Sequence, residues 1–562
     1  LTRPLWHIAP LAASLVLFGA IVSCAKAERT QRGRADAAPT AWRARPPPSR
    51  FALTNRFAYI PPQCYAKTRG EAGAPASNPC YACHVHSEPP NYANDADLQV
   101  ALSLPVAAGP NPWENVLAPP GLRAPRVADD DVLAYVRQSN YFDESGLTLA
   151  RTLDEIPGDS GHGVRKWTGF RPDAWFSFDE RGFDRAPDGT PTGWRAFAYY
   201  PFLGASFPTN GSMDDVLIRL DPMLRENIDG IYDSRVYEIN LAIVEALITR
   251  HDVAIDPIDE RRLGVDIDLD GVIGRATRVS FGKGMRYAGR ATRQGTWLIA
   301  PGLFPLNTEF LHSVRYLDVA PSGAVALAPR MKELRYAKKV RWLSSAELAR
   351  KAATEAIEQA LSPDGALYFV PEADRGVYNG QGWFLQGFIE AADGALRPQS
   401  YEETVACVGC HGGIGATTDS VFSFPRKLTS TTVARGWFHW SQHGLGGIPE
   451  PRRRDGRYEY SLYLAVNHAG DELHENTEVL RRFFDEKGRL RPTEIVRLHG
   501  DIATLLLPSP ARAIDLDRAY LAIVREQSFV RGRDAVLAPT SHMYAHAPVG
   551  ERTAVEKPIA PP

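Results

Sequence analysis

The chain has 562 residues, enough for roughly two to four domains around a large buried core. Its net charge is −2, with 64 basic and 66 acidic residues, so nothing in the overall charge suggests nucleic acid or a membrane surface as a partner. Aromatic residues make up 10%, a composition that suits the wrapping of large flat cofactors.

The N-terminus reads as an export signal. Arg3 supplies a positive flank, and residues 11–23 form an apolar and small-residue run too short to span a bilayer. The run ends Ile21-Val22-Ser23-Cys24, which resembles the lipobox of bacterial lipoproteins. Residues 1–24 would then be a lipoprotein-type signal, with Cys24 as the lipidated residue that attaches the protein to a membrane. A soluble periplasmic protein cut elsewhere is the alternative. Residues 25–50, rich in Ala, Arg and Pro, read as a disordered tether.

Residues 51–135 form the first ordered segment. A helix is expected over 94–104, with Asn94 as its cap and Pro105 as its stop. Residues 140–340 read as an α+β unit. Turn signals recur at Asp188-Gly189, Asn210-Gly211, Asp270-Gly271 and Ser322-Gly323, and strands are expected at 194–200, 296–299 and 314–319. One helix, capped by Ser234, carries Val236, Ile239, Ile243, Val244, Leu247 and Ile248 at helical spacing. Residues 341–545 open with a helix over 344–361. Ser344 and Glu347 form its capping box, and Leu343 and Leu348 its hydrophobic staple. A hairpin follows, with a strand at 383–390 and Asp393-Gly394 as its turn. Further helices are expected at 476–487 and 515–527, and residues 546–562 as a disordered tail.

Two five-residue motifs carry the chemistry: Cys80-Tyr81-Ala82-Cys83-His84 and Cys407-Val408-Gly409-Cys410-His411. A c-type haem is held by two thioether bonds from cysteine sulfurs to the porphyrin vinyl groups, and the adjoining histidine lies over the iron. Asn78-Pro79 starts a helix before Cys80, and a Ser400/Glu403 capping box starts one that runs into Cys407. A redox disulfide or a shared zinc would use the cysteines but leaves the histidine after each pair unexplained. The expected cofactors are therefore two c-type haems, with His84 and His411 as iron ligands.

Candidates for the opposite iron positions are His162, His312, His439, His443 and Cys64. His86 is too close to His84 to reach the other face of the same haem. His439 and His443 stand four residues apart, on one helical face if a helix forms there. Separately, Asp266, Asp268 and Asp270, followed by Gly271, place alternate carboxylates where they could converge on Ca2+. Thr277 stands where an EF-hand supplies its bidentate Glu, so the loop is not a full EF-hand.

On residues 63–67, 78–84, 193–200, 309–318 and 401–411, the sequence resembles the exported diheme c-type cytochromes of bacteria, with a more distant likeness to diheme peroxidases and oxidases. The resemblance implies an α+β chain in which mainly helical, cytochrome c-like haem segments flank a β-rich central domain. It implies electron transfer through two covalent haems, with a redox partner protein or a small-molecule oxidant or reductant. The alternative is a diheme oxidoreductase, peroxidase- or oxygenase-like, with one open catalytic haem. Either would work in the periplasm or attached to the outer membrane.

Overall fold

Alternation of buried and outward residues builds the centre of the molecule. In the computed structural model, residues 53–553 are described, except 68–79, 92–95, 125, 156–165, 203–207, 294–296, 373, 429–432, 468–472 and 475. All of them fall in one compact unit, Ala44–Pro562. A ten-stranded antiparallel sheet organises it. In chain order its strands are β1 (Phe183–Arg185), β2 (Pro191–Ala196), β3 (Met213–Asp214), β4 (Leu217–Arg219), β5 (Glu309–Val319), β6 (Val325–Lys339), β7 (Val370–Glu372), β8 (Gly376–Tyr378), β9 (Trp383–Glu390) and β10 (Leu396–Pro398). The spatial order is β7-β8-β9-β6-β5-β4-β2-β1, with β10 beside β9 and β3 beside β5.

The hairpin of β5 and β6 is the spine. Ser322-Gly323 makes its turn, where the Ala320 N–H donates to the Ala324 carbonyl. Phe310 faces Ala337 and His312 faces Arg335 across the pair. Side chains two apart share a face, and the two faces bury different cores. Phe310, Ala337, Trp383 and Leu385 join the core that also holds Val405 and Val408. Leu311, Leu334, Tyr336 and Phe388 join a second core with Tyr141 and Trp194.

Five helices matter for the site: α1 (Cys80–Cys83), α2 (Ser234–Thr249), α3 (Ser345–Leu361), α4 (Tyr401–Cys410) and α5 (Pro510–Glu526). The capping boxes expected at Ser344/Glu347 and Ser400/Glu403 both form. The helix α2 is capped by Asp233, not Ser234, because the carboxylate reaches the Arg235 and Val236 amides. The start of α5 lies upstream of the expected residue 515, where Ser509 caps it and Pro510 occupies the first turn. Helix 94–104 shrinks to a 3-10 turn, Ala96–Gln99, and Asn94 lies outside the described residues. Residues 297–299 form no strand, and the strand expected at 194–200 ends at Ala196. The hairpin at Asp393-Gly394 forms as read, with Gly394 at φ 88°. The segment up to Thr553 is tied down: the Ala547 N–H donates to Gly109 and the Thr553 N–H to Val100.

The expected fold class is overturned. Among the described residues, no helical haem domains stand on either side of a central β unit. The sheet takes strands from Phe183 to Pro398 and so runs through both of the later segments. The first segment is built from short turns of helix, of which α1 has four residues. A helix of that length is not stable by itself, so the first motif depends on neighbouring segments for its cover.

Candidate functional site

The helix α4 is a plank between two layers. Its Val405 and Val408 pack into the core on the sheet side. On its other side, Ala406 packs with the core of the first segment. That segment is fastened to the start of α4, where the Thr54 and Asn55 amides donate to the Glu402 carboxylate at 2.7 and 2.9 Å. It also lies against the backbone of Gly409, where an added Cβ would stand 1.6 Å from the Tyr59 carbonyl oxygen.

The two motifs converge. The Ala416 N–H, just past the second motif, donates to the Cys83 carbonyl at 2.9 Å. Asn91 donates to the Ile414 and Thr417 carbonyls at 2.7 and 2.9 Å. Burial drives the Cys83 thiol well above its ordinary value, and the thiols of Cys410, Cys64 and Cys80 add to the shift. Burial, then Cys407, pushes the Cys410 thiol up to about 11. No disulfide joins the described cysteines. Among the described residues no set of cysteines stands at metal-ligand separation either.

Cys83, Cys410, His411, His312 and Arg335 are all partly buried, Arg335 with 36% of its side chain accessible. His411 ends α4, and its Nδ1 lies 2.9 Å from the Ser420 carbonyl oxygen. That contact makes Nδ1 the donor and leaves Nε2 as the basic nitrogen. Burial pushes His411 down to about 4, so the ring is neutral at pH 7. A neutral imidazole held by a backbone carbonyl is the form that binds a metal.

The other candidates separate clearly. Both ring nitrogens of His439 are engaged, Nδ1 with Ser441 Oγ at 2.7 Å and Nε2 with Asp215 Oδ2 at 2.9 Å, so this histidine is structural. His443 is exposed, with its ring edge-on to Phe438. His162 and Cys24 lie outside the described residues. Cys64 is half-buried in a 3-10 turn within electrostatic reach of Cys83. His312 lies on β5, close enough to His411 for the two rings to affect each other.

Charged groups line the same region. Burial alone would raise the Glu333 carboxyl, but Arg335 and Arg533 outweigh it and hold Glu333 at about 2. The unfolded carboxyl titrates near 4.5, so the folded state gains stability from this group above that pH and loses it as pH falls from about 4.5 to about 2. Acid denaturation is expected to steepen in that window, and Glu333→Gln is expected to flatten it. A titration followed by circular dichroism would show the difference, and identical curves would count against the assignment.

The acidic loop closes differently from its sequence pattern. Glu260, Asp266 and Asp268 present carboxylate oxygens within 4.8 Å of one another, and Asp270 stands outside the group. Asp270 instead accepts from the Val272 amide. Glu260 is buried and accepts from the Ile267 and Gly274 amides, which folds it back over the loop. No spacing rule pointed to Glu260, because it precedes the alternating run.

A family model described as "-like lipoprotein" matches residues 48–496. The chain belongs to this lipoprotein family. A curated relative, named "Uncharacterized lipoprotein", from Aquifex aeolicus (strain VF5), is 28% identical over 536 residues, covering 84% of this chain and 85% of its own. No solved structure matches. The lipoprotein is thus of an exported, membrane-anchored kind. Its membership corrects the resemblance to the diheme c-type cytochromes and, through them, to the diheme peroxidases. The matching family is a different one, and the described residues are organised by a ten-stranded sheet rather than by helical haem segments. A five-residue attachment motif is portable between folds, so it could not identify one.

Proposed function

We propose that this lipoprotein carries two covalently attached haems and relays electrons through them. Cys80 and Cys83 would tether one haem with His84 as iron ligand, and Cys407 and Cys410 the other with His411. The observation that carries the reading is the junction itself. The Ala416 amide, just past the second motif, donates to the Cys83 carbonyl of the first, and the His411 ring is held neutral with Nε2 left as its basic nitrogen by the carbonyl contact. Haem would supply one-electron chemistry when bound. The chain's own part would be to tether it and set its potential. Arg335, within electrostatic reach of Cys407, would suit a haem carboxylate, since its charge persists at any physiological pH.

Cys24 would be the lipidated residue, which places the protein in the periplasm or on the outer membrane facing a redox partner protein or a small oxidant or reductant. Asp266 and Asp268, joined by Glu260, would hold Ca2+ as a staple of the loop between the strands Val253–Asp259 and Arg275–Val279.

Protein exported by cells competent to attach haem, then run on a denaturing gel, is expected to stain for haem at full length. The stain is expected to disappear when Cys80, Cys83, Cys407 and Cys410 are all changed to Ser, and to halve when either pair alone is changed. An unstained wild type, or a stain that survives the fourfold change, would end the reading.

A further inference from the structure

We infer that the outward side of α3, with the surface around Asp364, rests on the lipid bilayer in which the protein is anchored. The inference rests on the lipidation of Cys24 proposed above and adds to it which face of the body meets the membrane.

The helix α3 is amphipathic the wrong way round. Residues three, four and seven apart share one side of a helix. Ala346, Ala353, Ile357, Ala360 and Leu361 fall on one such side, with Arg350 among them, and all six are exposed. The opposite side carries Leu348, Ala352 and Glu355, of which Leu348 is buried and the other two half-buried. A surface helix ordinarily turns its apolar stripe to the core and its charges to water. Here Ile357 and Leu361 are 59% and 82% exposed. An outward stripe with aliphatic side chains fits a helix lying in the plane of a membrane interface, its apolar side among acyl chains.

The patch continues beyond the helix. Asp364, three residues past its end, fastens two other segments. Its carbonyl accepts from Arg56 Nη2 at 3.1 Å and its carboxylate from the Ala107 amide at 3.3 Å. That brings Val106, 66% exposed, to the end of α3. Tyr368 is 74% exposed, while its neighbour Phe369 turns inward against Tyr59, ring centroids 5.9 Å apart. An outward tyrosine beside aliphatic groups suits the boundary between headgroups and acyl chains.

The course of the chain identifies the occupant. Leu53 is the first described residue and is itself exposed. It stands three residues, at most about 11 Å of chain, from Arg56 and so beside Asp364. Residues 25–52 join it to Cys24. The lipid-bearing end of the chain therefore leaves the body at the edge of this patch. Anchoring makes contact between patch and bilayer an intramolecular event, so a weak apolar surface is enough to orient the body. A second copy of the chain gains nothing of the kind. Arg350 completes the fit, its stem along the stripe and its guanidinium at the level of lipid phosphates.

The test uses the full-length lipidated protein in vesicles of phosphatidylethanolamine and phosphatidylglycerol, with a specific protease site inserted within residues 25–50. Flotation with the vesicles measures anchoring. Hydrogen exchange then compares the anchored protein with the body released by the protease and freed of vesicles. Amides of 353–361 and 366–370 are expected to exchange about tenfold more slowly in the anchored protein. Ile357→Asp with Leu361→Asp is expected to abolish that difference while leaving flotation and the urea midpoint unchanged, since both side chains are exposed. Val496→Asp is the control, an exposed residue on the helix Pro492–Gly500, which packs in another core, and is expected to keep the protection. Equal exchange in anchored and released wild type would overturn the inference, with anchoring intact. Protection that grows with concentration in the released body would overturn it in favour of a second copy. A protein that fails to float before cleavage would defeat the anchoring reading, and the inference with it.

Discussion

Lys339→Met is expected to destabilise the protein by about 3–5 kcal/mol, the usual cost of removing one partner of a buried ion pair. Lys339 is fully buried at the end of β6 and its ammonium contacts the Asp419 carboxylate, which is 1% accessible. Burial pulls the lysine down and pushes the aspartic acid up, and their mutual attraction opposes both shifts. Without Lys339, a carboxylate would be left in the interior with the Phe304 amide, 2.9 Å away, as its main donor.

The loss is expected to reach His411 as well. Asp419 and Ser420 both adopt left-handed backbone angles, φ 51° and 67°, which side chains other than glycine rarely hold. Something must keep them there, and the buried pair anchors the first of the two. The second supplies the carbonyl that fixes the His411 ring. Urea unfolding of wild type and variant would measure the cost, and a loss below about 1 kcal/mol would show that the pair is not the anchor. Replacing both partners, Lys339→Met with Asp419→Leu, is expected to recover part of the loss, since no unpaired charge remains.

Gly409→Ala is expected to cost about 3 kcal/mol, at the upper end for one added methyl in a packed interior. The new carbon would meet the backbone of Tyr59, its oxygen at 1.6 Å and its carbonyl carbon at 2.7 Å, and neither atom can swing away as a side chain could. Either α4 or the first segment must shift, and the shift separates the two motifs. Gly415 marks a second close approach, with the Val85 carbonyl oxygen 2.0 Å from an added Cβ. Gly444→Ala is the control, because nothing lies within 4 Å of its added carbon. Denaturation midpoints of the two variants would decide the matter. Equal midpoints would mean that the first segment does not bear on α4.

Much of the local structure was legible because it depends on a few neighbouring residues. The capping boxes at Ser344/Glu347 and Ser400/Glu403 form as their four-residue spacing demands. Trp383–Glu390 is a strand, with its turn at Asp393-Gly394, because apolar and aromatic residues suit a sheet buried on both faces. The motif cysteines and histidines stand at the ends of helices for similarly local reasons.

The long strand β6 was not legible. Arg330, Lys332, Glu333, Arg335 and Lys339 interrupt any apolar alternation, yet all but Arg335 are buried. Their partners are remote: Lys332 meets Asp517, Glu333 meets Arg533, and Lys339 meets Asp419. A charge reads as solvent-facing until its partner is placed, and no spacing places a partner some 80 to 200 residues away. The fold class failed for the same reason, since attachment chemistry was read as architecture.

The residues by themselves determined where two thiols and an imidazole stand together, because that spacing is met within one helical turn. Only the tertiary structure decided that the two Cys-x-x-Cys-His motifs meet, that His439 is occupied by Asp215, and that Glu260 rather than Asp270 joins the acidic group. Each of those outcomes depends on which distant segments the sheet brings together. That is settled by burial summed over the whole core, which no short stretch of chain contains.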